Sequence, residues 1–90
     1  MIVVDVALPL RLNHAWVAYA CQKASLPRPR WDHEQREWSI AGVNVVTIDD
    51  ARRTARLTCE EERENELRTL VSNLVTGMMQ RTRSSPSLDR

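Results

Sequence analysis

The segment that decides the fold covers residues 30–50, RWDHEQREWSIAGVNVVTIDD. Trp38 and Ile40 alternate with polar neighbours, which is the two-residue period of a strand with one buried face. The run VNVVTI at 43–48 has the β-branched composition of a second strand, and Ala41-Gly42 between the two is a turn pair. The opening residues RWD, ahead of a polar turn, predict a third short strand. The segment therefore predicts an antiparallel meander.

The next residues, TARLTC at 54–59, fit either a strand or a helix. As a helix they would be capped by Asp50 and continue into the last helix of the chain. As a strand they would direct alternate side chains inward, namely Ala55, Leu57 and Cys59. We favour the strand, because Thr58 and Glu61 have the S/T-x-x-E spacing of a capping box, which predicts that a new helix begins at Thr58.

A strand and a helix precede the meander. Met1–Leu10 is apolar and β-branched, and predicts a mostly buried strand that ends before Pro9. Asn13 is a preferred N-cap residue and predicts a helix over His14–Lys23. Because this helix is apolar over most of its circumference, we expect it to pack on a sheet.

The last helix has the clearest periodicity in the chain. Glutamates crowd its start, and Arg81 and Arg83 lie at its end, which suits the helix dipole. For residues 84–90, SSPSLDR, we expect a disordered tail. Apolar residues recur at the helical spacing i, i+3, i+4: Leu67, Leu70, Val71, Leu74, Val75, Met78 and Met79.

Together these elements predict one α+β domain over residues 1–83. We expect an antiparallel meander sheet of three to five strands with both helices packed on one face, in the order β-α-β-β-β-α, with one more strand after the first helix if the short RWD strand forms. A chain of 90 residues buries only about 60–65 % of its unfolded surface. The free energy of unfolding of a single copy is therefore expected to be small, and dimerisation would increase it.

No pattern indicates catalysis or metal binding. The two cysteines and two histidines form no C-x2-C or H-x3–5-H pair. Gly42 and Gly77 are far apart and cannot form a glycine-rich phosphate loop. We therefore expect no enzyme activity, no metal and no cofactor, and we interpret Cys21 and Cys59 as buried apolar residues.

Composition also bears on the location of the protein. Met1–Leu10 has no basic residue and contains Asp5, which is unlike a signal peptide, and no apolar run reaches the roughly 20 residues that span a bilayer. Two cysteines are too few for a disulfide framework. Of 13 basic residues only Lys23 is a lysine, a bias typical of GC-rich genomes. We expect a cytoplasmic protein of a bacterium or phage.

Nucleic-acid binding is one functional hypothesis. The net charge of +1 combines a basic meander, an acidic stretch at Glu60–Glu64 and a basic tail. The order α-β-β-β-α resembles that of double-stranded-RNA-binding domains, but those domains carry basic residues where this chain has Glu60–Glu64. Tryptophans near the basic meander could stack on bases. The residues expected to contact phosphate are Arg28, Arg30, Arg52, Arg53 and Arg56.

Protein binding is the hypothesis that we favour. Arginine makes planar bidentate contacts, and methionine adapts its shape to a partner. The last helix carries more apolar residues than a short sheet covers, so its end is expected to meet a partner or a second copy of the chain. The protein would be an accessory subunit, adaptor or stoichiometric inhibitor of a larger bacterial or phage machine. The predicted contact residues are Arg30, Trp31, Arg36, Arg53, Met78 and Met79.

Overall fold

The computed structural model describes the backbone of residues 1–87 and the side chains of residues 1–83. The α+β class is confirmed, and the sheet has five strands, within the expected three to five, because the short strand at residues 30–32 is formed. A 3-10 turn, Glu61–Arg63, leads into the second helix. The elements are β1 Ile2–Ala7, α1 His14–Lys23, β2 Arg30–Asp32, β3 Glu37–Ile40, β4 Val43–Asp49, β5 Thr54–Cys59 and α2 Glu64–Ser87.

The five strands form one antiparallel sheet in the order β1-β5-β4-β3-β2. Strands β2 to β5 are the predicted meander, and β1 adds to its far edge beside β5. Directly paired residues share a sheet face, so one apolar row crosses all five strands. The row consists of Trp31, Trp38, Val45, Leu57 and Val4.

Both helices cover this apolar face and enclose one core. The side-chain amide nitrogen of Asn73 in α2 donates to the carbonyl oxygen of Ala20 in α1, at 3.1 Å. The lack of a side chain at Gly77 lets α2 approach α1 closely, because a Cβ atom there would lie 2.6 Å from a ring carbon of Tyr19. The helices contribute to the core Val17, Ala20, Cys21, Leu67, Leu70, Leu74 and Met78.

Three local predictions are confirmed. The side chain of Asn13 accepts a hydrogen bond from the backbone N–H of Trp16 at 2.9 Å, and α1 begins at His14. Ala41 and Gly42 both have positive φ, 46° and 91°, as a two-residue hairpin requires. Residues Thr54–Cys59 form a strand whose alternate side chains are buried.

Two local predictions are wrong. Thr58 begins no helix, because its extended backbone pairs with Val3 and Asn44 on the two neighbouring strands. The strand β1 is not mostly buried: it lies at the sheet edge, and its outer-face residues, such as Val3, are exposed.

Helix α2 extends to Ser87, within the predicted tail 84–90, and the rest of that tail lies outside the described residues.

Candidate protein-binding surface

Two tryptophans in tilted ring contact form the centre of a surface at the β2 edge of the sheet. Trp31 and Trp38 are paired across β2 and β3, and their ring centroids are 4.6 Å apart with planes inclined at 55°. Trp38 is buried, whereas Trp31 is 40 % exposed. The buried ring therefore supports the exposed one, which presents its outer side to solvent.

A hydrogen bond from the buried tryptophan connects this edge to α1. The indole Nε1–H of Trp38 donates to Nδ1 of His14, at 3.1 Å. A neutral imidazole that accepts at Nδ1 carries its proton on Nε2. His14 is the first residue of α1, so the bond joins β3 to the start of that helix. Spacing in the sequence could not reveal this contact, because the two residues are 24 positions apart.

The turn between β2 and β3 places Arg36 beside the tryptophans. A side-chain oxygen of Asp32 accepts hydrogen bonds from the backbone N–H groups of Glu34 and Gln35, at 2.9 and 3.0 Å. The N–H of Arg36 donates to the carbonyl oxygen of Asp32, at 2.8 Å. Arg36 completes the turn with a φ of 55°. This left-handed conformation is one that glycine adopts without cost and that other residues adopt at roughly 1–2 kcal/mol.

The turn between β4 and β5 lies at the same end of the sheet and presents Arg53 in the same way. The N–H of Arg53 donates to the carbonyl oxygen of Asp50 at 3.2 Å, and its φ is 54°. Its own carbonyl oxygen accepts from the N–H of Leu8, at 2.9 Å. Two of the predicted contact arginines thus occupy left-handed positions at neighbouring turns.

A shallow groove, which we call the tryptophan groove, lies where these turns meet the β2 edge. Within the described part of the chain, Arg36 has no ion-pair partner, whereas Asp50 pairs with Arg11 at 3.5 Å. The groove therefore combines an exposed indole with an unpaired guanidinium. It is lined by Trp31, Arg36, Trp38, Val46, Thr47 and Asp50.

The arginines of the nucleic-acid hypothesis are divided among different surfaces. Arg30 projects with Ser39 on the sheet face opposite the helices. Arg28 lines a depression beside α1, close to Cys21. The guanidinium of Arg52 lies 3.8 Å from Asp49 at the exposed β4–β5 turn. They do not form one continuous patch.

Arg56, the fifth of these arginines, is occupied by a carboxylate. It makes two hydrogen bonds to Asp5 on β1, at 2.8 and 3.0 Å, across directly paired positions. These bonds from the Arg56 side chain lower the pKa of Asp5, and the same bonds raise the pKa of Arg56. A guanidinium held in this way is less available to phosphate.

The two methionines of the predicted contact set have opposite environments. Met78 has no exposed surface and belongs to the core, so it is not available to a partner. It follows Leu70 and Leu74 at helical spacing and lies on the same buried side of α2. Met79 is 42 % exposed and remains accessible.

The cysteines lie away from the tryptophan groove and are buried free thiols. Burial raises the pKa of both, and for Cys59 the nearby glutamates, Glu64 first, raise it further. Among residues 1–87 no group of three or more His, Cys, Asp or Glu side chains is placed to hold a metal ion. The helices of that same part of the chain include none long and apolar enough to cross a membrane.

No protein-family model, curated protein or solved structure matches this chain at a significant level.

Proposed function

We propose that this chain is a non-catalytic protein-binding module and that the tryptophan groove receives an acidic segment of its partner. The exposed ring of Trp31, supported from behind by Trp38, is the observation that carries the proposal. Such a module acts as an accessory subunit, adaptor or stoichiometric inhibitor, and we place it in the bacterial or phage-infected cytoplasm.

An exposed tryptophan held in one position is suited to binding. Tryptophan and arginine are the residues most enriched where binding energy is concentrated in protein interfaces. Trp31 is 40 % exposed, yet its pairing with Trp38 and its edge contact with His33, at 6.4 Å between centroids, restrict its movement. A partner that covers this ring gains apolar contact and loses little side-chain entropy.

The backbone conformations of Arg36 and Arg53 support the same proposal. Glycine or asparagine would fit both left-handed positions at a lower cost. Residues retained in unfavourable conformations are concentrated at functional sites. We infer that the guanidinium groups at these turns are kept for contacts with a partner.

The charges around the groove favour an acidic partner. No ion pair neutralises Arg30, Arg36 or Arg53 among the described residues. Asp50, the acidic residue that lines the groove, pairs with Arg11. A guanidinium binds carboxylates in a planar, bidentate manner, which gives direction as well as attraction.

Selection from a displayed library of random peptides tests this proposal. Wild-type protein is expected to enrich peptides that combine acidic with aromatic or apolar residues. Trp31→Ala and Arg36→Glu should lose the selected peptides. Met79→Ala is the matched control for the tryptophan groove, because the Met79 side chain is equally exposed but lies on α2 and does not line the groove, and it should retain them.

The same variants distinguish the competing hypotheses. Equal binding by wild type and Trp31→Ala would contradict the proposal, and loss with Met79→Ala alone would assign the binding surface to α2. Retardation of a labelled duplex or single strand would instead support nucleic-acid binding. In that case affinity should fall steeply between about 50 and 200 mM salt, by roughly one unit of log-log slope per phosphate contact.

A further inference from the structure

The strand β1 is an unprotected sheet edge. Within the described residues it pairs with β5 alone, and this pairing is continuous from Ile2 to Ala7. Natural proteins usually protect such edges with lysine, proline, a bulge or a very short strand. The sequence IVVDVA contains neither lysine nor proline, and Asp5, its one charged residue, is held by Arg56. The opposite edge, β2, is only three residues long and carries two charged side chains.

An apolar strip on the helix side continues from this edge. Asn73 and Gly77 define the side of α2 that faces α1. The helical period places Val71 and Val75 on the other flank, above the β1 side of the sheet. Both valines are only partly buried, and so are the residues of β1 on that side, Ile2, Val4 and Val6.

We propose that a second copy of this chain covers the strip by pairing its own β1 antiparallel to β1, about a two-fold axis perpendicular to the sheet. The two five-stranded sheets then form one continuous sheet with all four helices on the same face. Backbone groups at the edge find partners, and the half-buried valines of β1 and α2 meet their counterparts.

Sheet-face alternation and charge favour a register centred on Val4. All four helices lie on one face only if each residue pairs with one whose side chain points to the same side of the sheet. An even-numbered residue of one β1 must therefore pair with an even-numbered residue of the other. A register centred on Val4 pairs Val4 with its counterpart and Ile2 with Val6 of the second copy, so apolar residues meet on the helix side. On the other side Val3 lies opposite Asp5, and each Asp5 keeps its own Arg56. A register centred on Asp5 would set two like charges directly opposite, which is destabilising.

The expected pairing of Val3 with Asp5 gives a test by charge sign. Val3 is 53 % exposed and outside the core, so Val3→Asp and Val3→Lys should both fold. Val3→Asp places two carboxylates opposite each other twice in the dimer, and should give a monomer. Val3→Lys places an ammonium group opposite each carboxylate, and should give a dimer. Sedimentation equilibrium of the full chain over a concentration series measures the masses, and circular dichroism verifies folding.

The expected result is a dimer mass for wild type and Val3→Lys and a monomer mass for Val3→Asp. A monomer mass for wild type at every concentration would overturn the proposal. A dimer mass for Val3→Asp would do the same, since the association would then use another surface. The tryptophan groove lies at the β2 edge and stays exposed in this dimer, so its peptide binding should be unchanged in both Val3 variants.

Discussion

Met78 and Met79 are adjacent and chemically identical, yet α2 directs one inward and the other outward. Met78 is 0 % exposed and Met79 is 42 % exposed. Met78→Ala loses the transfer free energy of a buried side chain, about 1.5–3 kcal/mol, and leaves a cavity. We expect a total loss of about 3 kcal/mol, within the usual 2–5 kcal/mol. Met79→Ala should change the free energy of unfolding by no more than about 0.5 kcal/mol.

Urea unfolding monitored by circular dichroism, with both variants at the same protein concentration, measures this difference. A loss of about 3 kcal/mol is large against the roughly 5–13 kcal/mol expected for a domain of this size. It should lower the midpoint of thermal unfolding by about 12–24 °C. If Met78→Ala and Met79→Ala unfold at the same urea concentration, the assignment of Met78 to the core is refuted.

Three further predictions concern other parts of the protein. Arg36→Gly should raise the free energy of unfolding by about 1 kcal/mol, because it removes the left-handed strain, and should weaken peptide binding; a lower urea midpoint would contradict this. The contact with Arg56 lowers the pKa of Asp5, so its contribution to stability is present above about pH 3.9 and is lost as the pH falls through the lowered pKa. The urea midpoint of wild type should therefore fall more steeply with acid than that of Asp5→Asn, and parallel curves would exclude the contribution. Cys21 and Cys59 should react with a thiol reagent in urea but not in the native state at neutral pH, and rapid native labelling would show that they are accessible.

Short-range patterns predicted much of the secondary structure. The alternation around Trp38 and Ile40 specifies a strand because period two is a property of the extended backbone itself. Asn13 could be identified because a cap needs only its own side chain and an N–H three residues on. These signals depend on neighbours in the sequence and are little altered by the rest of the fold.

Predictions failed where a distant partner decides the outcome. The capping-box pattern at Thr58 was misleading, because two neighbouring strands already use its backbone. The apolar sequence of β1 indicates a strand but does not show whether it is central or at an edge. Periodicity on α2 placed Met78 and Met79 on one broad apolar face, but that pattern does not show how much of the face the sheet and α1 cover, and in the structure Met78 is buried and Met79 is 42 % exposed.

The candidate site was predictable in its residue types but not in its geometry. Trp31 and Arg36 stand out in the sequence as an aromatic and a basic residue at a hairpin, and the structure places them in one groove. The cluster of arginines suggested a larger basic patch. The side chain of Arg56 is bound by Asp5, which lies 51 positions earlier in the chain, and is therefore less available to such a patch. No local pattern identifies an ion pair of that separation.

The affinity of a library-selected acidic peptide for wild type, Trp31→Ala and Met79→Ala, measured by isothermal titration calorimetry, tests the proposed function most directly. If Trp31 is the centre of the binding surface, its removal costs about 2 kcal/mol or more, which weakens binding about 30-fold. Met79→Ala should bind within about twofold of wild type, because residues outside an interface contribute little. An unchanged dissociation constant for Trp31→Ala would contradict the account.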